Sequence, residues 1–126
     1  MNKRAYVPRR QAPRFADQTR AERVRRGLVG PERAAALAET FSLLGDPTRA
    51  RILHALSIEE LCVSDLAALL DLTSSNASHQ LRLLRSHRLV GVRRDGKRCY
   101  YRLEDAHIRQ LVAMGLSHAD EDASPR

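Results

Sequence analysis

The sequence predicts a mainly α-helical domain carrying one β-hairpin, in the element order of a winged helix-turn-helix. Three observations predict it. Two helical patterns, Ser64–Leu70 and a second beginning at Ser74, are joined by only Asp71-Leu72-Thr73. Beyond Leu89 the apolar period changes from three-and-four to two, with Val90 and Val92 and then Tyr101 and Leu103. Between those alternating stretches stands Asp95-Gly96, the strongest short-range hairpin signal.

Taken in order, residues 1–16 (MNKRAYVPRRQAPRFA) hold two prolines, five basic residues and no periodicity, and read as a flexible basic arm. Asp17 to Arg26 can form one charged helix ended by Gly27. Pro31 suits a first helical turn, and Ala35, Leu37, Ala38, Phe41 and Leu44 follow at helical spacing up to Gly45. Pro47 opens the next helix, with Ile52, Leu53 and Leu56 as its buried face. In the helix after the tight turn, Thr73 or Ser74 is the cap and Ala77, Leu81 and Leu84 face inward. After the hairpin, Asp105 caps a last helix that contains Ile108, Leu111, Val112, Met114 and Leu116 and ends near Asp122. The expected organisation is an arm over 1–30 with a short helix, a winged-helix and dimerisation domain over 31–122, and a tail over 123–126.

A chain of 126 residues holds one domain. Aromatics are only 4% and Trp is absent, so the core must be aliphatic. That core is modest, and pairing with a second copy would bury more surface. The formal charge of +7 points to a polyanion. Residues 1–33 carry ten Lys or Arg against three Asp or Glu, so the remainder is balanced overall. Within the remainder, Arg82 to Arg102 concentrates eight basic residues against Asp95 alone. Two cysteines, Cys62 and Cys99, make no disulfide framework. No stretch approaches the ~20 apolar residues of a membrane span, and the first residues lack a signal-peptide apolar run, so a cytoplasmic protein is expected.

The segment Ser74-Ser75-Asn76-Ala77-Ser78-His79-Gln80-Leu81-Arg82 offers small hydrogen-bonding side chains on a slim helix. Base edges in a major groove need such groups, and phosphates need cations. Ser75, Ser78, His79 and Arg82 lie opposite the apolar face. Arg93, Arg94, Lys97 and Arg98 make the hairpin tip cationic, as a DNA-binding wing requires. A merely solvated amphipathic helix would look similar, but it would not bring a turn-linked helix before it and a cationic hairpin after it.

The last helix carries Asp105, His107, His118 and Glu121. Eleven residues turn through about 1100°, so His107 and His118 share a face roughly 16 Å apart. Metal–ligand bonds are about 2 Å, so one ion cannot be held by both. Two copies running antiparallel across a two-fold axis change this, because residues then meet when their numbers add to a constant. The pairs His107/His118 and Asp105/Glu121 give constants one apart. Both place the crossing near Val112 and Ala113, where Gly115 permits close approach. Each dimer would hold two sites, with Asp105 and His107 from one chain and His118 and Glu121 from the other. Two imidazoles and two carboxylates suit Zn(II), or Co(II) in its place, while octahedral Ni(II) would want more ligands. Asp120 and Asp122 are alternative oxygen donors to Glu121.

These residues resemble the ArsR/SmtB family of metal-responsive winged-helix repressors. The resemblance runs from about Glu32 to Glu121. It rests on Leu44-Gly45-Asp46-Pro47-Thr48-Arg49, Glu60-Leu61-Cys62-Val63-Ser64-Asp65-Leu66, Ser75-Asn76-Ala77-Ser78-His79-Gln80-Leu81 and Asp105-x-His107 with His118-x-x-Glu121. It implies a homodimer paired through its first and last helices and a double-stranded operator bound as partner. It further implies Ser74, Ser75, Ser78 and His79 near bases or phosphates, and release when Zn(II), Co(II) or Cd(II) binds. Some members join the Cys-Val-x-Asp segment to cysteines of the arm in a second metal site. Cys62 and Asp65 match one half of it, but the arm here has no Cys, so Cys62 and Cys99 read as structural. Three rivals remain at this level: a thiol-triggered repressor using Cys62 and Cys99, a metallohydrolase, and a non-specific nucleoid protein. The hydrolase would need an open metal position and a pocket, which four ligands on a dimer seam do not leave.

Overall fold

Four short polar side chains start four of the helices in the computed structural model, which describes residues 17–123. Asp17 Oδ1 accepts from the Arg20 N–H at 2.9 Å, Asp46 Oδ2 from Arg49 at 3.0 Å, Thr73 Oγ1 from Asn76 at 3.0 Å and Asp105 Oδ1 from Ile108 at 3.2 Å. Each satisfies one of the N–H groups that a helix leaves unpaired at its start. The elements are α1 (Gln18–Gly27), α2 (Pro31–Leu44), α3 (Pro47–Ile58), α4 (Val63–Leu70), α5 (Ser74–Ser86), β1 (Val90–Asp95), β2 (Arg98–Leu103) and α6 (Ala106–Ala123). The arm expected over 1–16 lies outside the described residues. The chain divides into two units between Ala34 and Ala35. α1 buries no side chain.

In the second unit Ile52, Leu53 and Leu56 of α3 pack with Leu66 and Leu70 of α4, Leu81 and Leu84 of α5, Val90, Leu103 and Ile108. This aliphatic core is the one the composition requires. The apolar stripe of α2 is left largely uncovered: only Leu43 is buried in this helix, while Phe41 remains 49% exposed. Helical spacing marks a shared face but not what covers it, and within one protomer α2 presents that face outward. Arg49 secures the end of α2 instead, its Nε donating to the Leu43 carbonyl at 2.8 Å.

The turn between α4 and α5 is tight because Asp71 adopts a left-handed conformation, φ 57°. Asp tolerates this region better than most residues. The Leu72 N–H then reaches the Ala67 carbonyl at 2.8 Å, closing α4 as a left-handed cap does. Arg88 repeats the device after α5, with φ 62° and the Leu89 N–H on the Leu84 carbonyl at 2.9 Å.

β1 and β2 pair antiparallel with Val90 opposite Leu103 and Asp95 opposite Arg98. The loop pair is therefore Gly96-Lys97, one residue later than the Asp-Gly dipeptide suggests. Gly96 has φ 65° and Lys97 has no positive φ, the pattern of a II′ turn with glycine first. Gly96→Ala is expected to cost about 1–2 kcal/mol, because a Cβ disfavours this region. A thermal melt against wild type checks it. Leu61 adds a bridge on the open edge of β2, exchanging both backbone bonds with Tyr101 at 3.1 and 2.8 Å. No helix among the described residues is long and apolar enough to cross a membrane.

Candidate nucleic-acid interface and metal-ligand helix

α5 is held by one face and free on the other. Ala77, Leu81 and Leu84 are each 0% exposed. Ser74, Ser75, His79 and Arg82 are exposed and Ser78 is half-buried, so the outer face is the one expected to meet a groove. Asn76 shares that face, its Oδ1 accepting from Gln80 Nε2 at 3.4 Å. Gln80 Oε1, by contrast, is buried without a hydrogen-bond partner among the described residues.

The four basic residues around the hairpin tip, Arg93, Arg94, Lys97 and Arg98, are exposed while Arg102 is half-buried, and the four are not equivalent. Arg93 donates through Nε to Glu60 Oε1 at 2.8 Å, sits 3.7 Å from Asp95 and lies over the Tyr100 ring at 5.0 Å. The Glu60 carboxylate holds its guanidinium charged more firmly than usual. Arg98 lies along β2 with Nη1 3.8 Å from Cys62 Sγ. These two arginines brace the hairpin on the segment before α4, whereas Arg94 and Lys97 point charge at the tip. Lys97→Ala is therefore expected to weaken DNA binding across sequences. It should lower the slope of log affinity against log salt by about 0.9 for each phosphate that is no longer neutralised. A salt series on one duplex reads it, and an unchanged slope removes the tip from the interface.

At the start of α6, His107 Nδ1 lies 3.5 Å from Asp105 Oδ1, so these two predicted ligands are side by side. His107 is 86% exposed, unlike a core histidine. His118 and Glu121 are exposed about three turns further on. Among the described residues, no three His, Cys, Asp or Glu of one protomer gather as a metal site. The ligand set is split between the two ends of the helix. The exposed surface between those ends is apolar, with Met114 72% exposed. A cavity of about 370 Å³ opens beside it, lined by Phe41, Leu44, Leu111, Val112, Gly115 and Leu116 among others.

Cys62 is 6% exposed and precedes α4. The Ser64 hydroxyl, 3.3 Å away, and then the Asp65 backbone N–H pull its thiol pKa below the ordinary value. Cys99 is half-buried on β2. Sequence reasoning missed Glu60 and Arg109 as organising residues. Arg109 donates to the Ser57 carbonyl at the end of α3, tying α6 to the helix that leads into α4. Neither partnership leaves a local signal, because the partners stand 33 and 52 residues away.

Residues 46–92, from the cap of α3 to β1, match the description "bacterial regulatory protein, arsR family". A transcriptional repressor SmtB homolog from Synechocystis sp. is 46% identical over 94 residues, covering 75% of this chain and 71% of that protein. The chain belongs to the ArsR family. A cadmium resistance transcriptional regulatory protein CadC homolog from Staphylococcus aureus is 43% identical to this ArsR chain, over 70% of it and 74% of the relative. Among solved structures, a homodimeric winged helix-turn-helix DNA-binding domain from Mycobacterium bovis superimposes with a TM-score of 0.69 at 30% identity. The match covers 76% of this chain and 92% of that one. ArsR proteins are DNA-binding transcriptional regulators, which sets the metallohydrolase aside. The family match ends in β1 and leaves α6 outside it, so membership speaks first to the DNA-reading half.

Proposed function

We propose that this ArsR protein is a metal-sensing repressor, binding operator DNA as a homodimer and leaving it when Zn(II), or Co(II) or Cd(II), binds between the subunits. Ser74, Ser75, Ser78, His79 and Arg82 would read the major groove, with Arg93, Arg94, Lys97 and Arg98 placing the wing on phosphates. Asp105 and His107 of one chain, with His118 and Glu121 of the other, would hold the ion.

One observation carries this reading: the adjacent Asp105–His107 pair and the exposed His118 and Glu121 occupy opposite ends of a single helix. Two antiparallel copies complete both sets at once. The outward apolar face of α2 and the cavity bounded by Val112 and Gly115 support the same pairing. The donor set fits a four-coordinate ion: two imidazoles and two carboxylates, with Asp105 using one oxygen for its cap and having a second. A bound metal supplies a fixed tie between the two copies of α6. If that tie favours a spacing of the recognition helices other than the one DNA selects, each ligand weakens the other by the same coupling energy.

The test is a titration of the dimer–operator complex with Zn(II), Co(II), Cd(II) and Ni(II). Zn(II) and Co(II) are expected to lower operator affinity about 5- to 150-fold, the span of typical coupling energies. Unchanged affinity with every metal overturns the reading. The lowered pKa of Cys62 favours a second reading, in which oxidation of Cys62 and Cys99 is the trigger. Replacing both with Ser separates the two: a metal sensor keeps its response, and a thiol sensor loses it.

A further inference from the structure

We infer that α1 is an additional phosphate-binding element, engaging the DNA backbone independently of α5 and the hairpin. The inference goes beyond the proposed function but takes the same duplex as partner. Its first support is the charge distribution. Residues 1–33 carry a net +7, equal to the formal charge of the whole chain, and the rest of the protein balances. The second is the presentation of that charge where the fold is described. In α1, Arg20, Arg23 and Arg26 follow at three-residue intervals and form a stripe about 120° wide along about 9 Å of helix.

Arg20 and Arg26 are 79% and 68% exposed, and no residue of α1 is buried. A ten-residue helix that buries nothing within its own protomer is marginal on its own account, so packing inside the protomer does not explain these arginines. The acids on the helix do not cancel the stripe. Asp17 meets Arg20 at 3.3 Å, and Glu22 meets Arg25 and Arg26 at 3.5 and 3.8 Å. Exposed pairs at this spacing are worth only about 0.2–0.5 kcal/mol each, and they yield readily to a row of phosphates. Arg23 enters no ion pair among the described residues. Tethering adds the rest. α1 belongs to the same chain as α5 and the wing, joined through Leu28–Gly30, so once those elements are on a duplex its own encounter with DNA is intramolecular.

The test uses the full-length chain on a duplex of its own upstream DNA, comprising the segment it protects in a nuclease footprint and about 15 flanking base pairs on each side. The triple variant Arg20→Gln/Arg23→Gln/Arg26→Gln is compared with wild type by the slope of log affinity against log salt. At about 0.9 per phosphate, releasing even one phosphate per protomer lowers the slope of a dimer by about 2, and releasing three lowers it by about 5. The matching triple Lys variant keeps the charge and is expected to restore the slope, which a purely structural role for the arginines would not produce. Lys97→Ala is read on the same duplex. A slope lowered by the wing variant alone overturns this inference and leaves the DNA-binding reading intact, while slopes unchanged in both overturn it and remove the hairpin tip from the interface as well. Loss of binding to anionic vesicles, with the DNA slope unchanged, also overturns it and assigns α1 to a membrane surface.

Discussion

Mixing His107→Ala protein with His118→Ala protein is expected to restore metal binding that neither variant shows alone. In the proposed dimer of one variant, each inter-subunit site would lack one imidazole. In a mixed dimer one site would lack both imidazoles, and the other would be wild type throughout. After subunit exchange about half of the dimers are mixed, each carrying a single intact site. Isothermal titration with Zn(II) is expected to show no tight site for either variant and about one-half site per dimer for the equimolar mixture. Operator release should follow the same pattern, because both variants keep α5 and the wing. Full metal response in either single variant rules out the shared ligand set, and no recovery on mixing rules out the antiparallel pairing. Wild-type response gives the scale, with coupling energies of about 1–3 kcal/mol.

Leu81→Ala carries the largest expected loss of stability. Leu81 is 0% exposed on α5 and belongs to the same cluster as Leu66, Leu70 and Leu84. Truncating such a leucine removes transfer energy and leaves a cavity, typically about 2–5 kcal/mol. Small domains hold only about 5–15 kcal/mol in total, so much of the margin disappears. Urea denaturation at fixed protomer concentration checks it, since a dimer's stability depends on concentration. The midpoint is expected to fall with the slope of the transition unchanged. Operator binding should be lost with the fold, whereas Ser75→Ala should weaken DNA binding and leave the midpoint in place. A loss below about 1 kcal/mol for Leu81→Ala would mean that the site collapses and α5 is anchored elsewhere.

The contrast between those substitutions reflects which parts of the molecule are local. Thr73 and Asp105 announce their helices because a cap acts over three residues. Ala77, Leu81 and Leu84 announce a buried face because four-and-three spacing is a property of one helix. The hairpin was legible in Asp95-Gly96, but its register was not. Which two residues form the loop depends on the pairing of Val90 with Leu103 and Asp95 with Arg98 across the strands. Leu37 and Phe41 could be placed on one face of α2, yet the pattern is silent on whether that face meets the protomer's own core. The unequal roles of the wing arginines were invisible for the same reason. Arg93 is set apart by Glu60 and Arg98 by Cys62, residues distant in the chain. Among the predicted ligands, the Asp105–His107 neighbourhood is a single-helix property and was readable.

The small bridge between Leu61 and Tyr101 is one of several ties between the hairpin and the helices around it. Glu60 on Arg93, Arg109 on Ser57 and this bridge together join the hairpin, α3 and α6 at several points. Flexing inside a protomer would have to break several of them at once. In the proposed dimer, an effector that changes how far apart two recognition helices stand would therefore have an economical route: to tilt one intact half against the other about their shared seam, as a pair of tongs opens at its rivet while each arm keeps its shape.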